Sequence, residues 1–240
     1  MSSYKTVGII LARTNYGEAD RIFTIITPTH GKLSAMAKSV RKPASKLGPH
    51  LELFGEIELM LAVGRNLDIL TSARVLQGWV QLAGDYERLR RGFLICEMIN
   101  KLTGQQTSAA NYRLLKDSLA ELNDGVDPVV VELAFKLQLL DQLGYRPNLE
   151  QCVKSHAEIE AGKRYFFSIE GGGLVEVAHA VAENPHITED HIKLWRLLLE
   201  YRAGKLATVK GVVTAAAESL PIANDFYDYL FGKRFKSAEI

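Results

Sequence analysis

The sequence predicts an α+β protein: a small five-stranded β-barrel over residues 1–79, then a mainly helical domain over residues 80–240. Three observations predict it. Apolar residues alternate with a period of two as far as Leu76, and from about Asp85 they take helical spacing. The amino-terminal part is rich in β-branched and aromatic side chains, which suit a pleated, half-buried surface. A stretch at about 146–182 keeps neither helical period and reads as an insertion between helices.

Each element follows from its pattern. Val7, Ile9 and Leu11 alternate along Lys5–Arg13, and Ile22, Thr24 and Ile26 along Arg21–Thr27, with Phe23 and Ile25 on the opposite face. Thr27-Pro28-Thr29-His30-Gly31 is a turn in which Pro presets φ and Gly takes positive φ. Lys32–Lys38 is the third strand, carrying Leu33, Ala35 and Ala37. Leu51–Val63 is the fourth, interrupted by Gly55 as a bulge, and Gly64-Arg65-Asn66 leads into the fifth, Leu67–Leu76. An open five-stranded sheet would leave two unpaired edges, so closure into a barrel is expected, OB-type before SH3-like.

In the helical part, Leu89, Phe93, Cys96 and Ile99 stack on one face, and Tyr112, Leu115, Leu119 and Leu122 on the next segment. Asp127-Pro128 opens a third helix that carries Leu133, Leu137 and Leu140 and ends at Gly144. Thr188 caps a fourth, with Glu189 and Asp190 in its first turn and Ile192, Trp195 and Leu199 inward. A last short helix holds Phe226, Tyr229 and Leu230 before the basic end Lys233-Arg234-Phe235-Lys236. Within Arg146–Ala182, the segment Arg164–Ile169 and the turn Gly171-Gly172-Gly173 make a two-stranded hairpin.

The formal net charge is only +1, yet residues 1–79 hold ten Lys/Arg against six Asp/Glu. From Arg21 to Leu51 the chain carries six basic side chains and no acidic one: Arg21, Lys32, Lys38, Arg41, Lys42 and Lys46. Such a loop suits a phosphate backbone, and equally a solvated surface; charge alone leaves both open. Cys96 and Cys152 lie far apart, which excludes a disulfide framework. No apolar run approaches the roughly 18–20 residues that span a bilayer, and the amino terminus has no signal-peptide core, so a cytoplasmic protein with no membrane contact is expected.

Catalytic patterns fail on inspection. Gly31-Lys32 and Gly204-Lys205 are each followed by Leu, where a nucleotide-binding P-loop needs Ser or Thr. His186 and His191 do not share a helical face, HExxH and GxSxG are absent, and scattered surface histidines are expected. The chain reads as a binding protein without cofactor, not an enzyme.

Several short motifs coincide in order over nearly the whole chain. Tyr16-Gly17-Glu18-Ala19-Asp20-Arg21, Thr27 with Gly31-Lys32-Leu33, Ala37-Lys38-Ser39-Val40-Arg41 and Leu51-Glu52-Leu53-Phe54 resemble the amino-terminal barrel of the bacterial RecO family. Leu140 to Pro147 and Cys152 resemble the helix and turn that open its zinc-ribbon region. Two departures stand out. The family often has Gly where this chain has Ser39. Many members also place two CxxC pairs around the insertion, whereas here Cys152 is followed by Ser155, with the second pair expected at Val175 and Ala178. One thiolate cannot hold a tetrahedral zinc, and His156 and His179 are set aside as substitutes. The insertion is therefore expected to be a zinc-less ribbon folded around Tyr165, Phe167 and Leu174.

The resemblance implies a recombination mediator in DNA repair, acting in the nucleoid. Such a protein binds single- and double-stranded DNA, anneals strands coated by single-strand binding protein, and works with RecR to help load RecA. On that reading Arg21, Lys32, Lys38, Arg41, Lys42 and Lys46 hold phosphates, and Tyr16, Phe23 and Phe54 are candidates for base stacking. The acidic, apolar tail of single-strand binding protein would lie against the Pro128–Leu143 helix, where Phe135, Lys136 and Leu139 fall outside the main stripe; the same pattern also fits a helix buried on both sides. The rival readings are an OB-fold RNA-binding or translation-associated protein and a protein–protein adaptor.

Overall fold

The computed structural model describes residues 2–232 together with Phe235 and Ser237. Lys233, Arg234 and Lys236 of the expected basic end lie outside the described residues. Five strands form the barrel: β1 (Ser3–Tyr16), β2 (Asp20–Thr27), β3 (Gly31–Ala37), β4 (Gly55–Ala62) and β5 (Asp68–Gly78). The order β1-β2-β3-β5-β4 closes on itself. β3 and β5 run parallel through Ala35 opposite Asp68 and Met36 opposite Ile69, and the other pairings are antiparallel. This is the OB-type topology, as expected. The core joins Ile10, Phe23, Ile25, Ala35, Ile57, Leu59 and Leu70 from the strands with Val40 and Leu51 from the β3–β4 connection.

β4 begins at Gly55 instead of Leu51, because Phe54 turns the chain with φ 60° and Leu51 enters the core from outside any strand. The expected bulge appears as a register shift between Glu56 and Ile57. Gly31, at φ 65°, lets the β2–β3 turn touch the connection after the first helix; a Cβ there would stand 2.3 Å from the Gln105 carbonyl oxygen.

Contacts group the barrel with α1 (Tyr86–Leu102), α2 (Ala109–Asn123), Phe235 and Ser237 as one unit, and the chain from Gly125 as a second. Residue 79, where the sequence places the boundary, precedes the short turn Val80–Gly84 that leads into α1, whereas the contacts divide the chain after Asp124. Asp85 caps α1 by accepting from the Arg88 amide, and Ser108 caps α2. Phe93 leaves the expected stripe of α1: it is exposed along one edge and stacks edge-on against Phe54.

In the second unit α3 (Pro128–Gln142) packs against both α4 (Glu189–Glu200) and α5 (Val212–Phe231). The expected caps are present: Asp127 accepts from the Val129 and Val130 amides, Gly144 takes φ 84°, and Thr188 caps α4. His191 corrects the expectation of surface histidines, since it is buried and completes that cap. α5 is far longer than expected and carries Pro221 within it. The expected hairpin of the insertion forms between β6 (Tyr165–Ser168) and β7 (Gly173–Glu176), and β8 (His186–Ile187), beyond the insertion, adds a third strand beside β6. The insertion's expected core is real, with Tyr165, Phe167 and Leu174 buried and Phe167 edge-on to Trp195 and Phe226.

Candidate nucleic-acid interface

The acid-free stretch includes the β3–β4 connection, and its first half is folded back on the β1–β2 turn. The Ser39 amide donates to Asp20 Oδ1 at 2.6 Å, and the Arg41 amide to the Ala19 carbonyl at 2.9 Å. The Arg41 guanidinium adds donations to the carbonyls of Glu18 at 3.1 Å and Gly17 at 3.4 Å. Beyond it the Lys42 amide donates to Ser39 and the Ser45 amide to Lys42. The loop is therefore an arc whose ends, Val40 and Leu51, are anchored in the barrel core.

Lys38, Arg41, Lys42 and Lys46 are all exposed on this arc, and among the described residues none of them is in an ion pair. Three other barrel cations are engaged, Lys5 and Arg74 with Glu58 and Arg13 with Glu52, while Arg65 is exposed like the arc's own. Arg21 is half-buried on β2, opposite Ala37, and its Nε donates to Asn15 Oδ1 at 3.0 Å. It borders the arc one residue from Lys38.

Lys32 does not join them. Its Nζ donates to the carbonyls of Asn100 and Thr103, both at 2.6 Å, closing the carboxyl end of α1. Burial lowers its pKa. A cation at a helix carboxyl terminus complements the macrodipole and satisfies orphan carbonyls, so Lys32 is a cap and not part of the phosphate track.

The aromatic candidates separate as clearly. Phe23 is 0% exposed and belongs to the barrel core, and Phe54 packs on Gly92 and Phe93 of α1. Tyr16 is 54% exposed and pairs with Asp20 across the β1–β2 turn, the same Asp20 that holds Ser39. It alone of the three remains available for stacking beside the basic arc.

The expected partner surface on α3 is closed. Phe135 and Leu139 are 0% exposed and Lys136 is 5% exposed. Lys136 Nζ contacts Glu132 Oε1 at 2.6 Å and also Asn224. Helices α4 and α5 cover both flanks of α3, so these residues are interior and cannot meet a partner.

Glu56 was missed by pattern reading. It is 9% exposed and takes Tyr112 Oη at 2.6 Å and Lys116 Nζ at 2.7 and 2.8 Å, tying β4 to α2. Burial, then the Glu56 carboxylate, raises the Tyr112 pKa. The only sequence signal was an acidic residue at a strand position whose neighbours are apolar.

Two family models cover almost the whole chain: Recombination protein O N terminal over residues 1–79, and Recombination protein O C terminal over residues 83–239. A curated DNA repair protein RecO of Bifidobacterium adolescentis is 30% identical over 244 residues, spanning 100% of this chain and 99% of the relative. The Dehalococcoides mccartyi protein of the same name is 35% identical over 173 residues, 72% of this chain and 68% of its own. That of Halalkalibacterium halodurans is 27% identical over 98% of this chain and 92% of its own. Among the described residues no helix is long and apolar enough to cross a membrane.

Proposed function

Because the chain belongs to the RecO family, whose relatives are DNA repair proteins, we propose that it is a recombination mediator that works by binding and not by catalysis. It holds single- and double-stranded DNA without reading sequence and anneals complementary strands. With RecR it would assist RecA loading on DNA coated by single-strand binding protein. The observation that supports this most is the basic arc: four exposed cations that make no ion pair among the described residues, set on a hydrogen-bonded turn beside exposed Tyr16. Phosphate contacts of this kind position a strand, while the unstacked bases stay open to pair.

Salt dependence tests it. Four phosphate contacts to single-stranded DNA give a slope of log K against log salt near about −3, at roughly −0.7 per contact. Replacing Lys38, Arg41, Lys42 and Lys46 together by Ala should remove most of that slope and weaken all sequences alike. A slope unchanged in the fourfold variant, or a strong preference for RNA, would defeat the proposal.

For the tail of single-strand binding protein, the closed α3 face leaves a cleft of about 370 Å³ within the second unit, lined by Arg146, Pro147, Leu149, Arg196 and Leu199 with Glu150, which pairs with Arg196 at 3.1 Å, and Glu200. It pairs apolar walls with two arginines, as an acidic, apolar peptide requires. Arg146 is held by Asp141 at 3.2 Å and Glu200 at 2.6 Å, so a peptide carboxylate would exchange for these. Arg146→Ala should weaken binding of a tail peptide at least several-fold in a fluorescence titration, and an unchanged affinity would exclude this cleft.

A further inference from the structure

An apolar groove opens at the end of the barrel that carries the basic arc. β1, β3 and β5 point the same way, so the β1–β2 turn, the β3–β4 connection and the end of β5 gather at that end. There, wholly within the first unit, a cavity of about 470 Å³ lies between Arg13 of β1, the segment around Leu53, the end of β5 and Phe93 of α1. Small-ligand pockets have volumes of roughly 300–1,000 Å³. Of the lining residues Ile57 and Trp79 are buried, while Val75, Val80 and Phe93 stand exposed around them. Exposed apolar side chains gathered around one groove mark an interaction site.

The aromatic wall of this groove is held in place. Phe54 takes φ 60°, and its carbonyl accepts from the Trp79 amide at 3.1 Å, which fixes the backbone behind the ring. The ring sits on Gly92, where a Cβ would stand 3.0 Å from Phe54 Cε1, and meets Phe93 edge-on with centroids 4.9 Å apart. Phe54 thus backs the Phe93 ring, which lines the groove and reaches solvent. This accounts for Phe93 leaving the buried stripe of α1.

Charge decides what the groove takes. Its lining holds Arg13 and Glu52, which neutralise each other at 2.7 Å, and His50. That lining offers no cation in excess to an acidic peptide. The cations stand beside it instead. Lys46 precedes Pro49 and His50 by three and four residues in the same connection, at most about 14 Å of chain. A ligand that fits both parts carries its negative charge on a backbone and presents flat, uncharged rings at its side.

We propose that the groove takes one unstacked base of a single strand whose phosphates lie on the basic arc, with the base stacked on Phe93 between Val75 and Val80. This rests on the reading of the arc as a DNA contact and extends it from phosphates to a base. Stacking on an aromatic face tolerates every base, so the groove adds affinity without reading sequence. Bases of a duplex are already stacked and paired, so the groove favours single strands.

The test titrates the full chain with fluorescent oligothymidylate and with an abasic strand of equal length, by anisotropy at several salt concentrations. The parent should bind the thymidylate at least fivefold more tightly. Phe93→Ala should lose at least fivefold for thymidylate while keeping both its abasic affinity and its salt slope. Ala83→Trp, which fills the groove from an exposed position, should do the same with unchanged circular dichroism. Thymidylate affinity unaltered in both variants, with the salt slope present, overturns the base site and leaves the arc standing; the groove would then belong to an apolar protein partner. An equal loss for both strands also overturns it, because the abasic strand has nothing to place there. A parent with no salt slope would overturn the arc and the groove together.

Discussion

Ser39 occupies φ 54°, the left-handed region that costs an L-residue roughly 1 kcal/mol and glycine almost nothing. Asp20 offsets part of that cost by accepting the Ser39 amide at 2.6 Å. Ser39→Gly should therefore raise the unfolding free energy by up to about 1 kcal/mol in a urea titration, with DNA affinity unchanged because no charge moves. Asp20→Ala should lower it by about 1 kcal/mol. Lys32 and Lys38 make a complementary pair of tests. Lys32→Met removes two charge-assisted bonds to α1 carbonyls and should cost about 2–3 kcal/mol of stability while leaving DNA binding nearly intact. Lys38→Met should do the reverse. The sequence grouped the two lysines because both sit in an acid-free stretch. Lys32's partners lie 68 and 71 residues away, and local charge carries no information about them.

Helices show the same limit at the next scale. The ends of α3 were legible because capping is local: Asp127 with Pro128 at the start, Gly144 just beyond the finish. Its outward face was not legible, because apolar residues surround the helix and nothing in it marks a solvent side. Lys136 read as a rim cation, yet the structure pairs it inside with Glu132 and Asn224. Breaking a buried pair on one side costs far more than the pair contributes, so Lys136→Met should destabilise the second unit by about 3–5 kcal/mol. A loss under about 1 kcal/mol in chemical denaturation would mean that the site is wet. α5 is longer than the sequence suggests, because burial of Ala216, Ser219, Ile222 and Ala223 carries the helix through Pro221, which removes one amide donor.

For the molecule as a whole, the change of period near residue 80 marks where strands give way to helices, but not where cohesion ends. α1 and α2 complete the barrel they follow. Lys32 of β3 closes the end of α1, Glu56 of β4 holds Tyr112 and Lys116 of α2, and the Lys32 amide donates to the Gln105 carbonyl at 2.8 Å. A fragment ending at residue 79 would leave Glu56 without these partners on an uncovered strand and Lys32 with no carbonyls to cap. Each lost charged contact costs about 1–3 kcal/mol, and a domain of this size loses roughly 4–8 °C of melting temperature per kcal/mol. A fragment ending at Asp124 keeps all of them and gives up the contacts of Phe235 with Lys101 and of Ser237 with Glu97. We therefore expect the longer fragment to melt cooperatively at least about 10 °C above the shorter one. It should also bind single-stranded DNA with the same salt slope as the full chain, since the basic arc and Tyr16 are intact. Equal melting temperatures would show that the two helices only rest on the barrel; a lost slope in the longer fragment would place the phosphate contacts beyond residue 124.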